Sequence, residues 1–243
     1  MRFVLFAAAS AAMICAGASS SYSQSITTYR HLILDGYSLK WGAPVLGTGA
    51  RVTFAMVDTS MHFGKTRNCS SMTSLDGLFS NSAISPKSFA RELDAALKAW
   101  EAVADISFSP ADPAVADILI GAQAEPAGFA FANVAYDETR TGANLRSISQ
   151  SLICFNPLRR WKIGFDGNLD VYDLRYVLMH ELGHAIGLNH PRVAGQLMTH
   201  KYREEFRALQ PGDIYGIETL YGSSRQTSRV QMGDLQARRV RIR

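Results

Sequence analysis

The chain has 243 residues, of which 47% are hydrophobic, and a formal net charge of +4. Such a chain can bury a substantial core as one domain, so no second domain is required and we expect a monomer. The modest charge gives no ground for nucleic-acid binding, and no stretch reaches the about 20 apolar residues of a membrane span.

The N-terminus has the pattern of a secretory signal peptide. Met1 and Arg2 precede an apolar run over residues 3–16, which ends in small residues at 16–18. The run is too short to be a membrane anchor, so we predict a signal peptide over residues 1–18 and a secreted or periplasmic protein. Residues 19–36 are rich in serine, show no strong periodicity, and are predicted to be a short leader.

The next segments predict the opening strands of a sheet. Residues 37–41 form a lead-in, and residues 51–57 are sufficiently apolar and β-branched for the interior of a sheet. Residues 58–84 contain frequent Gly, Ser, Asn and Thr, and we predict an irregular connection there.

A long amphipathic helix is predicted to follow. Ser85 is a suitable N-cap and Pro86 a suitable first helical residue. Apolar residues then recur at spacings of three and four up to Asp105, which indicates one face packed on a core. These residues are Phe89, Leu93, Leu97, Trp100 and Ala104.

Four further strands are predicted before a second long helix. They cover residues 106–108, 117–121, 128–134 and 151–156. The order of strand, helix, several strands and helix predicts an α+β layer arrangement, with the second long helix packed on a twisted sheet.

Two cysteines, Cys69 and Cys154, remain once the signal peptide is removed. In an exported protein they could form a disulfide. For so long a loop, the chain-entropy model gives a stabilisation of about 4 to 5 kcal/mol. Two free buried thiols are the alternative. The even count in an exported chain favours the disulfide.

Residues 166–170 resemble the start of a calcium-binding loop. Val171 and Val177 stand where an EF-hand needs Gly and Glu, so we predict that calcium is not required. We instead expect Asp170 to cap the following helix, with Asp173 favouring its positive end.

The segment from His180 to His190 has the pattern of a zinc site. His180 and His184 are four residues apart, so on a helix they share one face about 6 Å apart along the axis. Gly187 can end the helix and turn the chain so that His190 approaches the same ion. Three neutral ligands leave one position for a water molecule, and Glu181 stands beside it as a general base.

The alternative is a buried helix whose histidines are ordinary hydrogen-bonded polar groups. Five chemically meaningful positions in one register favour the metal site. Met198 follows His190 by eight residues, in the segment of residues 197–199. After it, residues 209–222 predict a last helix with Pro211 in its first turn, and residues 223–243 a basic, disordered tail.

These motifs resemble those of the metzincin zinc metalloendopeptidases. The short gap to Met198 resembles the matrixin branch, whereas Pro191 is more similar to the serralysins. The resemblance implies a catalytic domain over residues 37–222 with a mostly parallel five-stranded sheet and an antiparallel edge strand. Two long helices and a C-terminal helix would pack on it, with Met198 in a tight turn beneath the metal.

Departures from the matrixin pattern limit the number of metals. Nothing matches the Pro-Arg-Cys-Gly switch of the propeptide, and Cys69 lies in a different context. The positions of the ligands for a structural zinc and its neighbouring calcium hold Phe131, Cys154, Asn156 and Arg159. We therefore expect one catalytic zinc ion.

The resemblance implies a secreted zinc-dependent endopeptidase that hydrolyses peptide bonds with metal-activated water. A protein or peptide substrate would lie extended along the strand of Phe129, Ala130 and Phe131. Tyr176 would lie at the base of a side-chain pocket and Tyr202 in its wall, although Tyr176 could equally pack in the core. The alternatives are a non-catalytic binding protein of metzincin fold and a serralysin-like enzyme.

Overall fold

The structure is a computed structural model in which residues 28–64 and 66–224 are described. The predicted signal peptide, the first part of the predicted leader and the tail beyond Ser224 lie outside the described residues. No helix among the described residues has the length and apolar character needed to cross a bilayer.

Thirteen strands and four helices occur in the described part of the chain. The strands are β1 (Arg30–His31), β2 (Ile33–Leu34), β3 (Tyr37–Lys40), β4 (Ala50–Met56), β5 (Met61–His62), β6 (Ser71–Thr73), β7 (Ile106–Pro110), β8 (Ile118–Gln123), β9 (Ala130–Thr141), β10 (Leu145–Phe155), β11 (Trp161–Lys162), β12 (Tyr172–Asp173) and β13 (Leu188–Asn189). The helices are α1 (Asp76–Ser82), α2 (Pro86–Val103), α3 (Leu174–Ala185) and α4 (Pro211–Tyr221).

A mostly parallel sheet forms the centre of the fold, as predicted. The order is β7, β4, β8, β10 and β9, and β3 lies beside the first residues of β10. Strand β9 is antiparallel to β10 and forms the edge. All six residues of β8 are buried, which is typical of an interior parallel strand with both faces covered. The predicted mixed fold with a mostly parallel sheet is therefore confirmed, and short strands widen the predicted five-stranded sheet to nine strands.

Helix α2 begins and ends close to the predicted residues. The Ser85 hydroxyl accepts a hydrogen bond from the Ser88 N–H at 3.1 Å, and Pro86 is the first helical residue. Phe89 and Trp100 are fully buried. The Trp100 indole N–H donates to the Met179 carbonyl at 3.1 Å, which fixes α2 against α3.

The predicted N-cap of α3 is wrong, because Asp173 caps this helix instead of Asp170. The Asp173 carboxylate accepts a hydrogen bond from the Tyr176 N–H at 2.9 Å. Asp170 lies earlier in the loop, where its N–H donates to the Asn168 side chain. Arg207 binds both oxygens of Asp173 at 2.8 Å, so a residue distant in sequence helps to select the cap.

The predicted irregular connection over residues 58–84 contains β5, β6 and α1. Strand β6 is antiparallel to the end of β8. Helix α1 stops at Ala83, whose φ of 53° is left-handed. A disulfide joins Cys69 of this segment to Cys154 on β10, and both cysteines are fully buried.

The last residues of the predicted leader belong to the folded domain. Strand β1 pairs with β13, and β2 pairs with β3. The Leu32 N–H also donates to the Gly187 carbonyl at 2.7 Å. Residues 28–36 are therefore part of the same packed unit as the segment from 37 onward.

Candidate metal centre and cleft

Helix α3 carries His180, Glu181 and His184, and then stops so that the chain can turn back. Gly187 has a φ of 105°, a left-handed conformation that favours glycine. A Cβ at Gly187 would also collide with the Leu39 carbonyl oxygen. The chain then enters β13, which brings His190 toward the two helical histidines.

The side chains of the three histidines converge on one point, which we call the metal point. His190 Nε2 lies 3.1 Å from His180 Nε2 and 3.1 Å from His184 Nε2. Tetrahedral zinc with Zn–N bonds of 2.0–2.1 Å needs about 3.3 Å between ligand nitrogens, so the spacing fits this ion. These histidines form the only group of three potential ligands found in the described part of the chain.

Backbone carbonyls fix the orientation of the two helical histidines. His180 Nδ1 lies 3.0 Å from the Leu197 oxygen, and His184 Nδ1 lies 2.8 Å from the Leu188 oxygen. A carbonyl only accepts hydrogen bonds, so each Nδ1 carries the proton and each Nε2 offers a lone pair. Burial lowers the pKa values of His180 and His190 to about 4 and that of His184 to about 3, which keeps the ligands neutral.

Glu181 lies beside this point, between α3 and the edge strand. Its side chain lines the cleft, and the residue is only 7% exposed. Burial raises the pKa of Glu181 to about 8, and a hydrogen bond with the Ala132 backbone offsets part of the shift. A cation held by the histidines would also favour the carboxylate.

Met198 packs against helix α3 at Gly183, and Asp213 holds its turn in place. Gly183 on α3 leaves room for the methionine, because a Cβ there would collide with the Met198 sulfur. The Asp213 carboxylate accepts hydrogen bonds from the N–H groups of Leu197 at 2.8 Å and Met198 at 3.1 Å. Sequence reasoning missed Asp213, although an acid in the first turn of the predicted last helix was a visible signal.

A cleft of about 680 Å³ runs past the histidines. Residues 128–134, at and before the start of β9, form one wall, and Leu32 and Leu34 also line it. Tyr176 and Tyr202 line it as well. The structure thus brings the predicted ligands, Glu181 and the predicted substrate-binding residues to one cleft.

Residues 76–222 match the matrixin family, described as Matrixin, Peptidase M10. The chain belongs to the matrixins. It is 28% identical over 144 residues to human matrix metalloproteinase-19, covering 58% of this chain and 27% of that protein. It is 30% identical over 139 residues to human matrix metalloproteinase-20, covering 54% of this chain and 27% of that protein.

A plant protein, metalloendoproteinase 4-MMP of Arabidopsis thaliana, is 27% identical over 152 residues, which cover 58% of this chain and 42% of that protein. The matched part is thus about a quarter of each human relative and less than half of the plant one. Membership of the matrixins supports a zinc metalloendopeptidase in general.

Stacked aromatic rings line part of the cleft of this matrixin. Phe129 stacks on Tyr172 with ring centroids 3.9 Å apart, and Tyr172 stacks on Tyr202 at 4.3 Å. Tyr176 lines the cleft, yet it is 2% exposed and its hydroxyl lies 3.4 Å from the Leu197 oxygen. It therefore has features of both the predicted pocket base and the core alternative. Sequence reasoning did not single out Tyr172.

The four residues that the sequence resemblance places at the ligand positions of a second metal site have the following contacts in the structure. Cys154 forms the disulfide, and the Asn156 amide donates to the Gly128 carbonyl at 2.9 Å. The Arg159 guanidinium lies over the Phe129 ring at 4.5 Å. Phe131 lines the cleft.

Proposed function

We propose that the protein is a secreted zinc-dependent endopeptidase in which Glu181 is the general base. The observation that carries the proposal is the convergence of three neutral imidazole nitrogens beside a buried carboxylate, in a cleft bordered by an edge strand. Secretion is supported by the signal peptide predicted for residues 1–18.

His180, His184 and His190 would hold the zinc ion. When bound, zinc supplies Lewis-acid polarisation of the scissile carbonyl and lowers the pKa of water. Glu181 would take the proton from the attacking water and deliver it to the leaving amine. Its burial supports this role, because a carboxylate with a raised pKa can both accept and return a proton near neutral pH.

Strand β9 would bind the peptide backbone. It pairs with β10 along one side, and no other described strand pairs with its second side. An extended substrate could therefore add to this edge as a further strand, with its carbonyl directed to the metal point. The cleft beyond β9 would receive one substrate side chain, and Tyr176 and Tyr202 would set its size.

Cleavage of a peptide library by the purified protein tests the proposal. We expect cleavage that a zinc chelator abolishes and added zinc restores, and cleavage slower by orders of magnitude in the Glu181→Ala variant. Cleavage that persists in the chelator would contradict a zinc mechanism. Zinc binding without any cleavage would favour the non-catalytic binding protein.

A further inference from the structure

The loop between β11 and β12 wraps around the ammonium group of Lys162. Lys162 Nζ lies 2.5 Å from Glu204 Oε1, donates to the Asn168 carbonyl at 2.7 Å, and also contacts Asp166 Oδ1. The Lys162 side chain is 12% exposed and that of Glu204 is 7% exposed. Two carboxylates and one carbonyl thus contact a single positive charge; the Glu204 carboxylate is buried, whereas the Asp166 side chain is 62% exposed.

Backbone hydrogen bonds build the rest of this cage. Glu204 Oε2 accepts the N–H groups of Asp166 at 3.0 Å and Gly167 at 2.6 Å. Asp166 Oδ1 also accepts the Asn168 N–H at 2.9 Å. Carboxylate and carbonyl oxygens held by a turn are the ligands that proteins offer to calcium. In this loop the positive charge between them is the Lys162 ammonium group.

The same cage is connected to the wall of the cleft through Tyr202. The Tyr202 hydroxyl donates to Glu204 Oε1 at 2.8 Å and accepts the Asp173 N–H at 2.9 Å. The ring of Tyr202 stacks on Tyr172 and lines the cleft. Glu204 therefore joins the loop of residues 163–171 to a residue of the cleft.

We propose that the Lys162 ammonium is a built-in cation that takes the place of a divalent metal ion in this loop. Through Glu204 it fixes the position of Tyr202, so Lys162 is a positioning residue and does not touch substrate. The calcium-like pattern of residues 166–170 is then the outer part of a cage that needs no metal while the lysine is present.

Melting experiments on the zinc-loaded protein test this proposal without any peptidase assay. Wild type in calcium-free buffer should keep its Tm when calcium is added to about 5 mM, above the about 10⁻⁴–10⁻³ M Kd range of weak extracellular sites. Lys162→Met leaves the two carboxylates without their cation, so its Tm should fall by roughly 3–8 °C. Calcium should restore most of this loss by occupying the vacated cage.

The matched control is Lys98→Met, which removes an exposed ammonium paired with Asp94 on α2. Its Tm should stay close to that of wild type and should not respond to calcium. A further control is the double variant Lys162→Met with Glu204→Gln, which lacks one calcium ligand and should lose the calcium response.

Near-ultraviolet circular dichroism reports on the stacked tyrosines. A loss of stability confined to the Lys162 loop would leave this signal unchanged. Lys162→Met should lose part of this signal and regain it with calcium. Isothermal titration should find calcium binding to Lys162→Met and none to wild type.

Three results would overturn the proposal. They are a Tm of Lys162→Met equal to that of the Lys98→Met control, a lowered Tm that calcium does not raise, and an equal calcium response in wild type. If Lys162→Met does not fold, Lys162→Gln replaces it. If neither folds without calcium, refolding is attempted with calcium, and failure to recover folded protein also overturns the proposal.

Discussion

Glu181 lies beside the metal point, but unlike His180 and His184 on the same helix it is not one of the converging ligands. We expect Glu181→Ala to keep its zinc while kcat falls by about 10²–10⁴-fold, the range for loss of a general base. The measurement is kcat together with zinc content by elemental analysis. Near-normal turnover with full zinc content would show that another group moves the proton.

His190 reaches the metal point from β13 and completes the ligand set. We expect one zinc per chain in the wild type, and a strong loss of zinc affinity in His190→Ala. Elemental analysis after dialysis measures both. His62→Ala is the control, because His62 is exposed on β5 and hydrogen-bonds Ser71. Two tightly held zinc ions per chain would contradict the single-site assignment.

Tyr176 lies one turn before His180, and the centroid of its ring is 5.0 Å from that of Tyr202. If the phenol ends the side-chain pocket, Tyr176→Ala should shift the preference after the scissile bond from Leu, Met or Ile toward longer aromatic groups. Peptide-library cleavage measures the shift. Tyr176→Phe keeps the ring and should keep the preference. An unchanged preference in Tyr176→Ala would assign the residue to the core.

At the scale of elements, the sequence predicted the long helices best. Helix α2 has a local N-cap, a proline in its first turn and a regular apolar stripe, all visible in sequence. The strands β5 and β6 have two and three residues, too few for a periodic pattern, so the segment of residues 58–84 was predicted as irregular. Asp170 was predicted as the cap of α3, but Asp173 is the cap, and its contact with the distant Arg207 is not visible in the local sequence.

Glu92 of α2 is joined by ion pairs to α3 and to the loop before α4. Its carboxylate binds Arg175 at 2.7 Å and Arg207 at 2.8 Å, and Arg207 also holds the cap of α3. Burial alone would raise the pKa of Glu92, but the two arginines outweigh it and lower the pKa. The stabilisation is thus complete above the unfolded pKa of about 4.3 and is lost as pH falls through the lower folded value.

We therefore expect Glu92→Gln to lower the free energy of unfolding by about 2–3 kcal/mol at pH 7, and by less at pH 3. The estimate is reduced because the two arginine side chains are 29% and 25% exposed. Urea unfolding of both proteins at the two pH values measures it. Asp94→Asn is the control, since it breaks only an exposed pair. An equal loss at both pH values would contradict the role of the charge.

At the scale of the molecule, the motif at residues 180–190 led to the fold through family resemblance. The mostly parallel sheet agrees with the prediction. A continuous apolar run such as β8 can be recognised in the sequence as an interior strand. The cation cage of Lys162 was not predicted, since Glu204 lies far from residues 162–168 along the chain. The aromatic stack of Phe129, Tyr172 and Tyr202 escaped prediction for the same reason.

The disulfide between Cys69 and Cys154 closes a sequence separation of 85 residues. Replacing both cysteines with serine should lower the free energy of unfolding by about 2–5 kcal/mol. Urea unfolding measures the change, with wild type before and after reduction as the comparison. Reduced wild type should match the double variant. A double variant as stable as oxidised wild type would show that the disulfide does not stabilise the fold.

The pairing of β1 with β13 has a practical consequence for recombinant work. A fragment beginning at Tyr37 would lack Leu32 and Leu34, which line the cleft, and would leave β13 without its partner strand. His190 directly follows β13, so we expect such a truncation to bind zinc more weakly than a fragment that retains residues 28–36. Expression fragments should therefore start upstream of Thr28, and proteolytic trimming within residues 28–36 would remove part of the wall of the cleft.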